Sequence, residues 1–168
     1  MQPLLEVLDE LQKRIDGYDK EVARLCTEQF PETQVLTQIH GVGPLVALTY
    51  AVTIDKPERF ERSRNVGSYL GLTPRSYQSG DRSPQLRISK AGDGALRTLL
   101  VGAAAYILRK TSPNCDLKRY GNRIARGGST RDRARARVAV ARKLAVLLHR
   151  LWSTGEVYDP NRVLSLTG

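Results

Sequence analysis

Ser129 to Trp152 reads STRDRARARVAVARKLAVLLHRLW, and this stretch decides the fold class. Ser129 suits a helix N-cap, because its hydroxyl can accept from a free backbone N–H of the first turn. In the second half Val140, Leu144, Leu147, Leu148 and Leu151 recur at helical spacing and give one apolar face. A long amphipathic helix of this kind must bury that face against other elements. In the first half Arg131, Arg133, Arg135 and Arg137 spread around the helix as a charged sleeve. Lys118 to Lys143 holds ten basic residues and a single acid, Asp132. A solvated helix face normally mixes signs, so this bias points to a track for phosphates, with Arg131 and Arg135 as candidate contacts.

Upstream, Ala95 to Lys110 reads as a buried, Ala-rich helix, with Asp93 placed to cap its start. Short helices are expected over Asp116 to Ala125 and Asn65 to Leu70. Asp55 to Arg64 is a charged connector. Val35 to Ile54, VLTQIHGVGPLVALTYAVTI, holds two apolar helical segments around His40-Gly41-Val42-Gly43-Pro44. Gly41 and Gly43 permit a tight turn with positive φ, and Pro44 suits the first turn of a helix. The pattern resembles a helix-hairpin-helix element, in which Gly41 and Gly43 would bring backbone N–H groups to a phosphate. A hairpin that only packs remains the alternative.

At the N-terminus Leu4, Leu8, Leu11, Ile15, Tyr18, Val22 and Leu25 follow a 4-3 spacing about three heptads long. Residues 1–30 therefore form either a coiled-coil arm that pairs with another helix or an amphipathic helix lying on its own domain. Phe30-Pro31 ends it. Residues 31–168 form the remaining domain, and the polar tail from Thr154 is expected to be loosely held. The fold expected is mostly α: a coiled-coil-like helix followed by a compact helical domain, with one irregular loop over residues 71–92.

The 168 residues carry a net charge of +10. Residues 1–30 net −3, so the body carries +13. Such a body is suited to a polyanion. Cys26 and Cys115 lack metal-ligand spacing and read as reduced thiols of a cytoplasmic protein. There is no signal-peptide pattern and no apolar run long enough to span a membrane. The sequence lacks a phosphate loop of the Walker type, a dinucleotide fingerprint, a hydrolase triad pattern and a cluster of acids suited to two metals.

What remains for chemistry is a serine in a basic loop. Ser79 lies among Arg75, Arg82 and Arg87. A serine hydroxyl can attack a phosphodiester if fixed guanidinium groups stabilise the crowded anionic transition state.

Three stretches, IHGVGPLVAL (39–48), FERSRNVGSYLGLTPRSYQSGDR (60–82) and RISKAGDGALRTLLVGAA (87–104), carry a family resemblance. The chain from about Val35 to Asp159 resembles the C-terminal transposase domain of the bridge-RNA-guided serine recombinases. These are insertion-sequence transposases whose full chains begin with a RuvC-like DEDD domain and a coiled coil. The resemblance implies that Ser79, in the element Tyr77-Gln78-Ser79-Gly80, is the nucleophile that becomes joined to a DNA 5′ phosphate. It implies that Tyr77, Arg87 to Lys90 and Arg97 lie by nucleic acid. It also implies DNA and a guide (bridge) RNA as partners, and homo-oligomers, for which residues 4–25 are the candidate contact. Magnesium belongs to the family's RuvC-like domain, which has no counterpart in these residues, so no cofactor is expected in this chain. The isolated chain is expected to be inactive without that domain. The competing expectation is a non-catalytic DNA- or RNA-binding module of helix-hairpin-helix type.

Overall fold

A computed structural model describes residues 2–75 and 87–161. Seven α-helices are present among them: α1 (Gln2–Glu28), α2 (Thr33–Leu36), α3 (Pro44–Ile54), α4 (Arg64–Tyr69), α5 (Gly94–Ile107), α6 (Asp116–Ile124) and α7 (Thr130–Thr154). Short 3-10 turns cover Pro57–Arg59 and Ala125–Gly127. The domain is mostly helical, as its patterning dictates.

The caps form where side-chain chemistry places them. Asp93 accepts from the Leu96 N–H at 2.6 Å and starts α5. Ser129 accepts from the Asp132 N–H at 3.0 Å, while its hydroxyl donates to Asp132 Oδ2 at 2.6 Å. Such caps satisfy backbone donors that the first helical turn leaves without partners. α7 is the central element and packs against α2, α4, α5 and α6. Its buried face holds Val140, Ala141, Leu144, Leu147, Leu148 and Leu151. Tyr50 of α3 is fully buried, and its hydroxyl donates to the Ala145 carbonyl of α7 at 2.7 Å. That bond matters because an unpaired buried hydroxyl would cost about 1–3 kcal/mol.

His149 is 3% exposed. Its Nε2 lies 2.8 Å from the Pro57 carbonyl oxygen and its Nδ1 lies 2.9 Å from Ser63 Oγ. A carbonyl can only accept, so Nε2 carries a proton and donates to Pro57, while Nδ1 shares a hydrogen bond with the Ser63 hydroxyl. The histidine thus ties the 57–63 connector to α7.

α1 projects an apolar seam away from this core. Leu4, Leu8, Leu11, Ile15 and Tyr18 are exposed, Leu11 by 51% and Tyr18 by 73%. Only the last turns pack: Val22 and Leu25 are partly buried and Cys26 is buried, beneath α2 and α3. Over residues 4–18 the helix therefore does not lie on its own domain.

Two expectations need correction. The first arm of the 35–54 element is one turn, Thr33–Leu36, rather than a matched helix. Tyr158 and Pro160 of the tail are held on the domain instead of lying loose. Asp116 N–H donates to the Pro160 carbonyl at 2.8 Å, and the Tyr158 hydroxyl donates to Asp116 Oδ1 at 2.8 Å. The Tyr158 N–H also donates to Gln38 Oε1 at 2.8 Å. Polar groups of the tail find fixed partners on α6 and beside α2, which composition alone does not reveal. Burial, and next the bond to Asp116, push the Tyr158 phenol well above the ordinary tyrosine range.

Candidate nucleic-acid interface

The limbs of the 71–92 loop meet at a tightly built root. Arg75 N–H donates to the Arg87 carbonyl at 3.1 Å, and Ser89 N–H donates to the Thr73 carbonyl at 2.9 Å. Lys90 N–H donates to the Gly71 carbonyl at 3.1 Å. Pro74 and Ile88 form an isolated antiparallel bridge. The limbs thus run antiparallel, and Arg75, Arg87 and Lys90 are each exposed on them. Lys90 itself has φ +57°, a left-handed conformation that non-glycine residues seldom adopt.

Two glycines make the close approach possible. Gly71 has φ +66° and Gly92 has φ +76°. A β-carbon on Gly71 would collide with Ala91 backbone, and one on Gly92 with the Tyr69 carbonyl. Arg97 of α5 fastens the root from below. Its Nη1 donates to the carbonyls of Leu70 at 3.2 Å, Ala91 at 3.0 Å and Asp93 at 3.4 Å. Arg97 is therefore engaged with backbone at the loop root and is only partly exposed. Tyr77, Ser79 and Arg82 lie outside the described residues.

The turn before α3 is a second element of the surface. Gly41 has the expected positive φ, +94°. Gly43 does not; it is the extended N-cap of α3, with φ −87° and ψ 175°, and Pro44 follows in the first turn. Gly41 sits on α5, where an added β-carbon would lie 3.0 Å from Ile107 Cγ1 and 3.3 Å from the Ala103 carbonyl oxygen. Ile39 and Val42 are buried beside it. The turn is thus a packed joint between α3 and α5.

The third element is the basic α6–α7 corner. Arg119, Arg123, Arg126, Arg131, Arg133, Arg135 and Arg137 are all exposed. Asp132, the one acid between Lys118 and Lys143, folds back on the Ser129 cap, beside Gly127. Its charge is therefore engaged at the helix start. Lys143 Nζ lies 4.6 Å from the Tyr120 ring centroid, a cation–π contact. Burial lowers the Lys143 pKa, against an opposing pull from Asp116.

Among the described residues no three His, Cys, Asp or Glu side chains gather. Asp93, Asp116 and Asp132 serve as cap or hydrogen-bond partners. Among the described residues no helix is long and apolar enough to cross a membrane.

A family model described as Transposase IS116/IS110/IS902 family matches residues 33–121, more than half of the chain. The chain belongs to this transposase family. It is 34% identical over 146 residues to the transposase for insertion sequence element IS1111A of Coxiella burnetii, covering 86% of this chain and 39% of that protein. It is 30% identical over 165 residues to a probable family 20 transposase of Pseudomonas aeruginosa, covering 94% and 48%. It is 29% identical over 151 residues to the transposase for IS1328 of Yersinia enterocolitica, covering 88% and 43%. The chain thus spans less than half the length of these curated relatives. The matched region contains the Gly41 turn, the whole 71–92 loop and Arg97. The basic first half of α7 lies beyond it, although the match to the Pseudomonas protein takes in nearly the whole chain.

Proposed function

We propose that this chain is the DNA-handling, serine-bearing part of a DNA transposase. Ser79 is its nucleophile, and the basic surface holds DNA and a guide RNA. The observation that carries the reading is the loop root. Two glycines, three ladder hydrogen bonds and Arg97 fix both limbs of the Ser79 loop, with Arg75, Arg87 and Lys90 displayed beside it. Cations displayed on the limbs suit attack on a phosphodiester at this loop, because negative charge builds on the phosphoryl oxygens.

In the proposed step Ser79 Oγ bonds to phosphorus and the bond to the 3′ oxygen of the neighbouring nucleotide breaks. The serine proton ends on that 3′ oxygen, and a 5′ phosphate stays on the protein. Arginines at the loop hold the phosphate oxygens and lower the cost of the alkoxide-like serine. The acids and magnesium of the reaction are assigned to a RuvC-like portion of the longer protein. The exposed seam of α1 over residues 4–18 pairs copies of the chain, since an isolated helix gains little from an apolar stripe left in water.

The test joins this chain with the remaining transposase portion, guide RNA and DNA, and reads a denaturation-resistant protein–DNA adduct on a gel. Ser79→Ala is expected to abolish the adduct while nucleic-acid affinity stays within twofold. Adduct formation by the variant would leave a binding module without this nucleophile.

A further inference from the structure

Three flat polar groups meet on the surface near the C-terminal end of α5. The His40 ring lies 5.2 Å from the Tyr106 ring centroid to centroid, tilted by 37°. The Arg109 guanidinium lies 4.7 Å from the same Tyr106 centroid. All three residues are exposed, Tyr106 by 42%. Among the described residues no carboxylate pairs with Arg109.

The cluster is held in place before any ligand arrives. Gly41, in its left-handed conformation, lets the turn settle on α5, so the preceding residue reaches Tyr106. Tyr106 stands in the last turn of α5, and Arg109, two residues past the helix end, brings its guanidinium over the Tyr106 ring. Beyond them the chain is stitched down: Ser112 Oγ donates to the Tyr106 carbonyl at 2.6 Å, and Lys118 Nζ donates to the carbonyls of Lys110 and Ser112. Arg109 and Lys110, both exposed, supply positive charge on the adjoining surface.

We propose that His40, Tyr106 and Arg109 form a stacking platform for an unpaired nucleobase of a single strand. Aromatic rings and guanidinium planes bind unstacked bases through their π-faces, and neighbouring cations hold the strand's phosphates. A base inside a duplex is already stacked on both sides, so the platform selects unpaired nucleotides. The proposal rests on the reading of this chain as a nucleic-acid binder and adds a preference for single strands.

The test uses the 168-residue chain and fluorescently labelled strands of one length. One set carries normal bases, in ribose and deoxyribose versions. The other carries abasic positions at equal charge, and a duplex serves as reference. The parent is expected to favour the base-bearing strands. Tyr106→Leu keeps an apolar contact for the Gly41 turn but removes the ring. It is expected to weaken binding of base-bearing strands by about 5- to 150-fold, with abasic and duplex affinities within twofold. Tyr106→Phe restores the parent behaviour, and whichever sugar binds more tightly names the strand. Equal affinity of the parent for normal and abasic strands overturns the platform, as does a Tyr106→Leu chain that binds like the parent. Uniform loss on all ligands, with Tyr106→Phe equally weak, also overturns it. Those results leave the basic surface standing, whereas no affinity of the parent for any strand or duplex overturns both readings.

Discussion

Arg97 Nη1 donates to the Leu70 carbonyl at 3.2 Å, bridging 27 residues of chain between α5 and the end of α4. The same nitrogen reaches Ala91, so one guanidinium closes the loop that carries Ser79 from both sides. An arginine so engaged holds position, and the exposed cations of the limbs are Arg75, Arg87 and Lys90.

Substitutions at the root therefore carry a stability cost. Gly92→Ala forces a β-carbon into the Tyr69 carbonyl at a positive φ and is expected to destabilise by about 1–3 kcal/mol. Arg97→Ala is expected to cost about 1–2 kcal/mol through lost carbonyl partners. Gly102→Ala, in open space in the middle of α5, is expected to stabilise by about 0.5–1 kcal/mol. Urea unfolding of the three variants checks the order, and a neutral Gly92→Ala would contradict the close backbone approach.

Nucleic-acid affinity should fall steeply with salt. Each B-DNA phosphate neutralised contributes about 0.9 to the slope of log affinity against log salt. Arg131→Gln and Arg135→Gln should each flatten that slope by about 0.9 where the side chain meets a phosphate. Titrations at several salt concentrations measure it, and a parent slope near zero would refute the basic track.

The exposed seam of α1 predicts self-association. Replacing Leu11 and Ile15 with Lys should lower the mass seen in sedimentation without unfolding the domain, because both side chains lie outside the core. A parent chain that sediments as a monomer at high concentration would reject pairing through this arm alone.

Alkaline pH should unfold the protein through two tyrosines. Burial raises Tyr50 well above the usual phenol value, and burial with the Asp116 bond raises Tyr158. A raised folded-state pKa means the folded protein keeps protons that the unfolded chain releases. The stabilisation is thus complete below the unfolded value of about 10 and is lost as pH climbs above it. In ultraviolet titration both phenols should ionise late, together with unfolding. In Tyr158→Phe one late phenol should disappear.

Much of this architecture was legible in the sequence because its signals are local. The α5 and α7 caps at Asp93 and Ser129, the left-handed Gly41 and the seam of α1 each follow from residues within one or two helical turns. The features that escaped are long-range. Nothing periodic links His149 to Ser63, Tyr158 to Asp116 or Tyr106 to His40, and only folding brings each pair together. Gly43 shows the limit from the other side: glycine permits a positive φ, but at this position the start of α3 requires extended backbone. The root of the serine loop combined both kinds of signal. Its glycines and arginines were visible as composition, whereas the commitment of Arg97 to backbone carbonyls was not.

The central claim is that Ser79 is joined to DNA during reaction. Trypsin cleaving after Arg75 and Arg82 releases the peptide SYQSGDR, which holds two serines, Ser76 and Ser79. After reaction with the remaining transposase portion, guide RNA and DNA, the adduct is digested with nuclease and trypsin and fragmented in a mass spectrometer. The account predicts a nucleotide phosphate on Ser79. A nucleotide on Ser76, or on any peptide outside this loop, would contradict it.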